Sequence, residues 1–386
     1  MIYLDTASTA NYSDKDNMVI DTIVDAMKKY WQNPSGLYAA DVKDVINICR
    51  KQVAEFIGAK SEEIYFTSGA SESNNWCIRG WVDQSLMDNY RMVNIVTTPI
   101  EHKSILEAVN NKCLSACVRY CDVDNLGRVD CRALKSMLWL RDNEPTLVSI
   151  HMANNEIGTI QNIKKISDLV HTYNGIIHVD ATQALPHIPI NVNELGIDMM
   201  SASGHKISPV LKGIGFLYIK NGINIQPLIY GSQERKLRGG TENTFGIIGL
   251  GKAIEMCDVS PEHFNEMRKK RDYFINLLET KFGCTLNGDR ENRLPNNINV
   301  TFPQNITGEG LLYTLDISDI KISTGSACNS KEIAPSHVLK GIGLSDDEAT
   351  RSVRFTLSDE ISYKEIDEVI NEIEKTIKLI EMLGDD

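Results

Sequence analysis

The hexapeptide Ser201-Ala202-Ser203-Gly204-His205-Lys206 puts a lysine directly behind small polar residues and a histidine, at the exit of the stretch Ile197-Asp198-Met199-Met200. A single lysine is ordinarily a solvated surface charge, so its company decides the reading. Asp180 closes the apolar run Ile176–Val179, and Gly69-Ala70-Ser71 follows the run Ile64–Thr67. In α/β proteins the groups that touch ligands stand at the C-terminal ends of strands. A Gly-Ala-Ser turn that opens a helix also offers free N–H groups and the positive end of the helix dipole to a phosphate. Cys328 stands apart from the other eight cysteines. Gly325-Ser326-Ala327 before it and Asn329-Ser330 after it are small or polar, the composition of an exposed loop rather than of a core. A loop thiol can act as a thiolate nucleophile.

A lysine, a carboxylate and a phosphate cradle at strand ends are what pyridoxal 5'-phosphate requires. The lysine forms a Schiff base, and the carboxylate keeps the pyridine nitrogen protonated so that the ring can accept electrons.

The elements that must hold these groups are legible as periodicities. Helical patterns run from about Asp16 to Tyr30 and from Ala40 to Phe56, with Gly58 as the stop of the second. Helical spacing resumes through Trp76 and Ile78. Helix-length stretches cover Ser104–Lys112 and Ile163–Tyr173. Strands are expected at Glu63–Thr67, Val93–Val96, Leu147–Ile150, Ile176–Val179 and Gly215–Ile219. Short continuous apolar strands alternating with helices imply βαβ units around a sheet buried on both faces. Beyond about Gly251 the texture changes. Pro261–Phe282 reads as one charged amphipathic helix, while Asn297–Phe302 and Ser352–Leu357 alternate as half-exposed strands. A last helix aligns Ile366, Val369, Ile370, Ile373, Ile377 and Ile380 in a core-facing stripe.

The chain has 386 residues and a formal net charge of −12, from 52 acidic against 40 basic side chains. That balance disfavours a broad surface for nucleic acid or anionic lipid. No apolar run approaches the roughly 20 residues that span a bilayer, and the first residues have neither the basic nor the apolar part of an export signal. A cytoplasmic protein without a membrane is the expectation. Nine cysteines make no disulfide framework. Cys113, Cys117, Cys121 and Cys131 are read as ordinary buried residues, and no metal site is expected, because no Cys-x-x-Cys pair accompanies them.

At this point the chain resembles a known family. Ile64–Asn75, Glu101-His102-Lys103-Ser104, Asn154–Gly158, His178–Gln183 and Ser203–Lys206 look like the motifs of cysteine desulfurases of the NifS/IscS type, in the class V branch of fold-type-I pyridoxal-phosphate enzymes. Arg238–Thr241, Thr324–Cys328 and Val353–Leu357 continue the match in the family's order, so the resemblance covers nearly the whole chain. It implies an α/β fold: a large cofactor-binding domain, residues 14–254, with a mostly parallel sheet flanked by helices, plus a smaller α+β domain from residues 1–13 and 255–386 that carries the reactive cysteine. It also implies roles. Lys206 holds the cofactor and shuttles the Cα proton. Asp180 pairs with the ring nitrogen, Gln183 with the ring hydroxyl, and His102 stacks on the ring and acts as a catalytic acid–base group. Ala70, Ser71, Ser203 and His205 bind the phosphate, joined by Thr241 from the partner of a homodimer. Asn155, Arg354 and Asn33 contact the substrate, with Asn155 also beside the cofactor. The implied reaction converts L-cysteine to L-alanine, leaving a persulfide on Cys328 for a sulfur-acceptor protein in iron–sulfur cluster assembly, tRNA thiolation or nucleic-acid phosphorothioation. The competing readings are another class V enzyme (an aminotransferase or selenocysteine lyase), and a catalytically idle homologue serving as a scaffold. Departures from the family pattern fall near Ser8, at Tyr38, at the lengthened Ser208–Gly213 run with Val210, and along Tyr230–Lys236.

Overall fold

The computed structural model describes residues 1–111, 115–140, 144–303, 306–324 and 335–384. Two strand systems organise it. The larger is a seven-stranded sheet of β2 (Ile64–Thr67), β3 (Asn94–Thr97), β4 (Cys117–Tyr120), β5 (Thr146–His151), β6 (Ile176–Asp180), β7 (Met199–Ser203) and β8 (Gly215–Ile219), in the order β2-β8-β7-β6-β5-β3-β4. Only β8 runs against its neighbours. The expected strands all appear, within about a residue or two of the apolar runs that predicted them. Because successive side chains leave a strand on opposite faces, Met199 and Met200 enter different apolar clusters, as do Leu147 and Val148. Helices cover both faces, so β2, β3 and β5–β8 are buried almost throughout and only the edge strand β4 is half exposed.

The other edge, β2, is sealed by side chains. The Ile64 carbonyl accepts from Arg50 Nη1 and Arg235 Nη2, both at 2.8 Å, and the Phe66 N–H donates to Glu234 Oε2 at 3.3 Å. An edge whose backbone groups are paired in this way offers no template to another strand. Arg50 and Glu234 form a buried fork, 2.7 and 2.8 Å, beneath three consecutive residues with positive φ: Glu234, Arg235 and Lys236.

The second system is the antiparallel trio β9 (Thr285–Leu286), β10 (Asn297–Thr301) and β12 (Ser352–Thr356), in the order β12-β10-β9. A small parallel pair joins β1 (Ile2–Tyr3) to β11 (Ile320–Lys321). Helices Pro261–Phe282 and Tyr363–Gly384 pack on this part, with Ile366, Val369, Ile370 and Ile373 buried. Ile377 is partly buried against the same cluster, and the side chain of Ile380 lies outside the described residues.

One sequence expectation is corrected here. β10 and β12 are not half exposed but buried on both faces. Their polar face meets protein instead of water. Asn287 Nδ2 donates to Asn299 Oδ1 and Thr301 Oγ1, while Asn297 and Asn299 both donate to the Glu156 carbonyl at 3.2 Å. An alternating pattern records polarity, and a buried polar layer that satisfies itself looks the same in sequence as a wet one. The helix expected over Ser104–Lys112 ends at Val109, and Lys112 and Cys113 lie outside the described residues. Among the described helices, none is long and apolar enough to cross a membrane.

Candidate active site

Strand register brings the chemistry to one end of the sheet. His151 on β5 stands beside Asp180 on β6, and Asp180 beside Ser201 on β7. Lys206 follows β7 through a single turn, Gly204–Lys206. Past β2 the chain turns at Gly69, φ +147°, into helix Ala70–Met87. Gly215 makes this approach possible, since a Cβ there would meet the Ala202 carbonyl at 2.5 Å and Gly69 Cα at 2.7 Å.

These ends enclose a cavity of about 880 Å³. Ala70, Ser71, His102, Asn155, Asp180, Gln183, Ser203, His205, Lys206 and Arg354 all line it. Asn33 and Thr241 do not. Asn33 is exposed and holds its own turn, accepting the Ser35 N–H at 2.9 Å, and Thr241 is exposed on a separate loop. Cys328 lies outside the described residues, but the chain on either side of it, at Ser323 and at Pro335–His337, lines the same cavity.

The N-terminal strap Asp5–Ser8, stitched to β12 by the Thr356 N–H to the Leu4 carbonyl at 2.7 Å, holds three of the candidate groups. Lys206 Nζ donates to the Ala7 carbonyl and, at 2.8 Å, to that of Ser8. Gln183 Nε2 donates to the Ala7 carbonyl at 2.8 Å. Arg354, 5% exposed, donates through Nη2 to Asp5 Oδ1 at 2.6 Å and Ser8 Oγ at 3.0 Å, and through Nη1 to the Asn155 carbonyl at 3.1 Å. Its Nε is buried without a partner.

Asp180 accepts the Thr182 N–H at 3.0 Å and Asn74 Nδ2 at 2.8 Å. His102 caps helix Lys103–Val109 through Nδ1. Its ring faces the open cavity yet sits deep among protein atoms. That desolvation lowers its pKa, with Asp180 opposing and Lys206 assisting, so the ring is neutral at pH 7. His205 is pushed down to about 4 by burial and by the cations of Lys206 and Lys212, and its Nδ1 lies 3.1 Å from Ser203 Oγ. At the helix N-terminus Glu72 occupies the Ser68 N–H at 2.8 Å. Burial works against its charge, but the Arg238 fork, 2.8 and 3.1 Å, wins and holds the carboxyl below its ordinary range.

The donor set fits pyridoxal phosphate. A buried carboxylate ends β6 close to the lysine turn, the N-terminus of helix Ala70–Met87 has no side-chain cap, and Thr182 Oγ1, which also borders the cavity, is buried without a hydrogen-bond partner. Sequence reasoning missed Asp5, Ser8, Glu72, Asn74 and Glu156. Glu72, Asn74 and Glu156 stand inside motifs that were noticed, but nothing in their spacing foretells their partners.

A lysine, a carboxylate and a helix N-terminus meeting at strand ends define the architecture of a pyridoxal-phosphate enzyme. The chain belongs to the aminotransferase class-V family, whose sequence pattern matches residues 2–369. It is 39% identical over 389 aligned residues to cysteine desulfurase IscS of Dictyoglomus turgidum, covering 99% of this chain and 96% of that one. It is 40% identical to cysteine desulfurase IscS of Clostridium botulinum, covering 98% and 94%. Among solved structures a NifS-like protein superposes with a TM-score of 0.87 at 32% identity, covering 98% of this chain and 99% of the other. SspA, solved in complex with cysteine, superposes with a TM-score of 0.80, also at 32% identity, covering 93% and 99%.

Proposed function

We propose that the cavity binds pyridoxal 5'-phosphate and that the protein is a cysteine desulfurase, converting L-cysteine to L-alanine and passing the sulfur through Cys328 to an acceptor protein. The observation that carries this reading is the convergence of Lys206, Asp180, the Ala70–Ser71 helix start and Arg354 on one cavity. The full-length likeness to cysteine desulfurases supports the choice of reaction.

When bound, the cofactor supplies an electron sink that acidifies the substrate Cα and labilises its Cβ–sulfur bond. The chain supplies the rest. Asp180 holds the ring nitrogen protonated and Gln183 hydrogen-bonds the ring hydroxyl. Ala70, Ser71, Ser203 and neutral His205 would take the phosphate, and the Glu72 carboxylate on the same wall is paired with Arg238. Lys206, whose Nζ donates to the Ala7 and Ser8 carbonyls, would hold the cofactor and serve as the base for the Cα proton. His102 would stack on the ring and serve acid–base steps, and Arg354 would take the substrate carboxylate in a fork beside Asn155. The Cys328 thiolate attacks the substrate sulfur. An S–S bond forms as the Cβ–S bond breaks, the electron pair stays with the carbon skeleton, and that skeleton gains a proton at Cβ to leave as alanine. Four residues lie between Ser323 on the cavity wall and Cys328, and the five Cα-to-Cα steps span at most about 18 Å. Exposed Thr241 is assigned to the cavity of a partner subunit in a homodimer. Asn33 is assigned to the substrate mouth only in that assembly. The division into residues 14–254 and residues 1–13 with 255–386 belongs to the same proposal, supported by the separate apolar clusters of the two strand systems.

Supplying L-cysteine and following alanine and sulfide tests the reading. Wild type should form both, and Lys206→Ala and Cys328→Ser should form neither persulfide nor sulfide. Undiminished alanine in Cys328→Ser would remove the sulfur route and favour another class V reaction. A wild-type protein that takes up no pyridoxal phosphate would leave only the idle homologue.

A further inference from the structure

Asn74, on the opening turns of helix Ala70–Met87, has none of its surface exposed. Its side-chain nitrogen carries two protons and both are used. One goes to Asp180 Oδ2 at 2.8 Å and the other to Ser104 Oγ at 2.9 Å. An ionised carboxylate only accepts, so the NH2 of the amide and not its oxygen must face Asp180. The oxygen, Oδ1, is left buried with no hydrogen-bond partner. The residue is placed for its donors.

The direction of the next bonds follows. Ser104 Oγ accepts from Asn74 and keeps its own proton for His102 Nδ1, 2.8 Å away. The Ser104 backbone N–H donates to the same Nδ1 at 3.1 Å. A nitrogen approached by an N–H is an acceptor, so the proton of the neutral imidazole sits on Nε2. Asp180 and His102 line the cavity, whereas Asn74 stands behind them and does not.

We propose that Asn74 is a positioning residue of the cofactor pocket: one neutral amide fixes the Asp180 carboxylate as an acceptor and, through the Ser104 hydroxyl, adds a second donor that reinforces the ring orientation and the Nε2–H tautomer set at His102 by the Ser104 backbone N–H. This deepens the pyridoxal-phosphate reading and rests on it. No formal charge is brought in; the amide acts through its two N–H donors alone.

The test uses full-length protein, with and without added pyridoxal phosphate, as wild type, Asn74→Leu, Asn74→Asp and Ser104→Ala. Leucine keeps about the volume and removes both donors. Aspartate keeps the shape and turns an oxygen toward Asp180. Two quantities are read: the dissociation constant of the cofactor from its visible absorption, and the ¹⁵N resonances of His102, assigned by their loss in His102→Gln. Wild type should show a pyridine-type Nδ1 and a pyrrole-type Nε2. Asn74→Leu should weaken cofactor binding about 10- to 100-fold, as the loss of one charge-assisted hydrogen bond does, and should average or displace the two His102 resonances. Ser104→Ala should displace those resonances while leaving cofactor binding near wild type, because the Asn74–Asp180 bond is untouched. Asn74→Asp should bind the cofactor more weakly than Asn74→Leu. Should Asn74→Leu fail to fold, Asn74→Asp and Ser104→Ala carry the test. Wild-type behaviour of the Asn74 variants in both readouts would overturn the proposal and leave Asn74 as core filling. A wild-type protein that binds no cofactor would instead sink the functional reading, and the His102 resonances would still decide whether Asn74 acts on the His102 ring through Ser104.

Discussion

Replacing Arg354 by lysine keeps the charge and removes the fork. The guanidinium makes three hydrogen bonds, to Asp5, Ser8 and the Asn155 carbonyl, and is 5% exposed. An ammonium on a flexible stem can meet one of these partners or a substrate carboxylate as a point charge, but it cannot hold a carboxylate by two parallel N–H bonds. Losing one charge-assisted bond to the substrate costs about 1.5–3 kcal/mol, which is roughly a 10- to 150-fold fall in kcat/KM for L-cysteine. The loss should fall mainly on KM, since carboxylate binding is shared by ground and transition states. The strap loses anchors as well, so the unfolding free energy should drop by about 2 kcal/mol in a urea titration. Cysteamine separates the two effects, because it has the thiol and amine of cysteine without the carboxylate. Binding of cysteamine should be the same in wild type and Arg354→Lys. A variant that stays folded and keeps a wild-type KM for cysteine, or that loses cysteamine binding as severely as cysteine binding, would refute the assignment of Arg354 to the carboxylate.

Three further outcomes follow from packing and charge. His178, His187 and His205 are each pushed down to about 4, in every case chiefly by burial. Their unfolded values lie near 6.5, so between about pH 6.5 and 4 the unfolded chain binds the additional protons, and stability should fall with decreasing pH by up to about 1.4 kcal/mol per unit per histidine, less for the half-exposed His205. A urea midpoint that is flat from pH 7 to 5 would contradict this. Lys236 holds φ +68°; glycine there relieves about 1–2 kcal/mol of left-handed strain and returns about 0.4–1 kcal/mol of it as unfolded-state entropy, so Lys236→Gly should raise stability by up to about 1.6 kcal/mol in the same titration. Glu234→Gln leaves the Arg50 charge buried without its anion and should cost about 3 kcal/mol, and pairing it with Arg50→Met should recover part of that loss.

Much of the scaffold was legible because its signals are local. The strands of the large sheet are short apolar runs, and helix Ala40–Phe56 has the expected bounds, with Gly58 in the left-handed region at φ +69° just beyond its end. Helix Thr244–Glu255 was missed for a physical reason. It is apolar nearly all round and studded with glycine, so it shows no stripe. Its glycines buy close packing: a Cβ on Gly249 would meet Ile23 Cδ1 at 2.7 Å, and one on Gly251 would meet Cys49 Sγ at 2.9 Å. The polar strands β10 and β12 misled because their water-like partners come from distant residues. The same holds at the site. Lys206, Asp180 and the Gly69 turn announce themselves by standing after apolar runs. Asn74 and Asp5 are ordinary polar residues in sequence, and their importance exists only as contacts across 106 and 349 positions.

In the proposed reaction a sulfur atom leaves bound cysteine for one particular thiol. Wild-type protein saturated with pyridoxal phosphate should be mixed with a single equivalent of L-cysteine, in the absence of any reductant or acceptor, and the peptide bearing residue 328 weighed by mass spectrometry. This peptide should gain the mass of one sulfur atom in step with the alanine released. Alanine released while that peptide stays unmodified, or sulfur found instead on Cys117, Cys131 or Cys257, would contradict it.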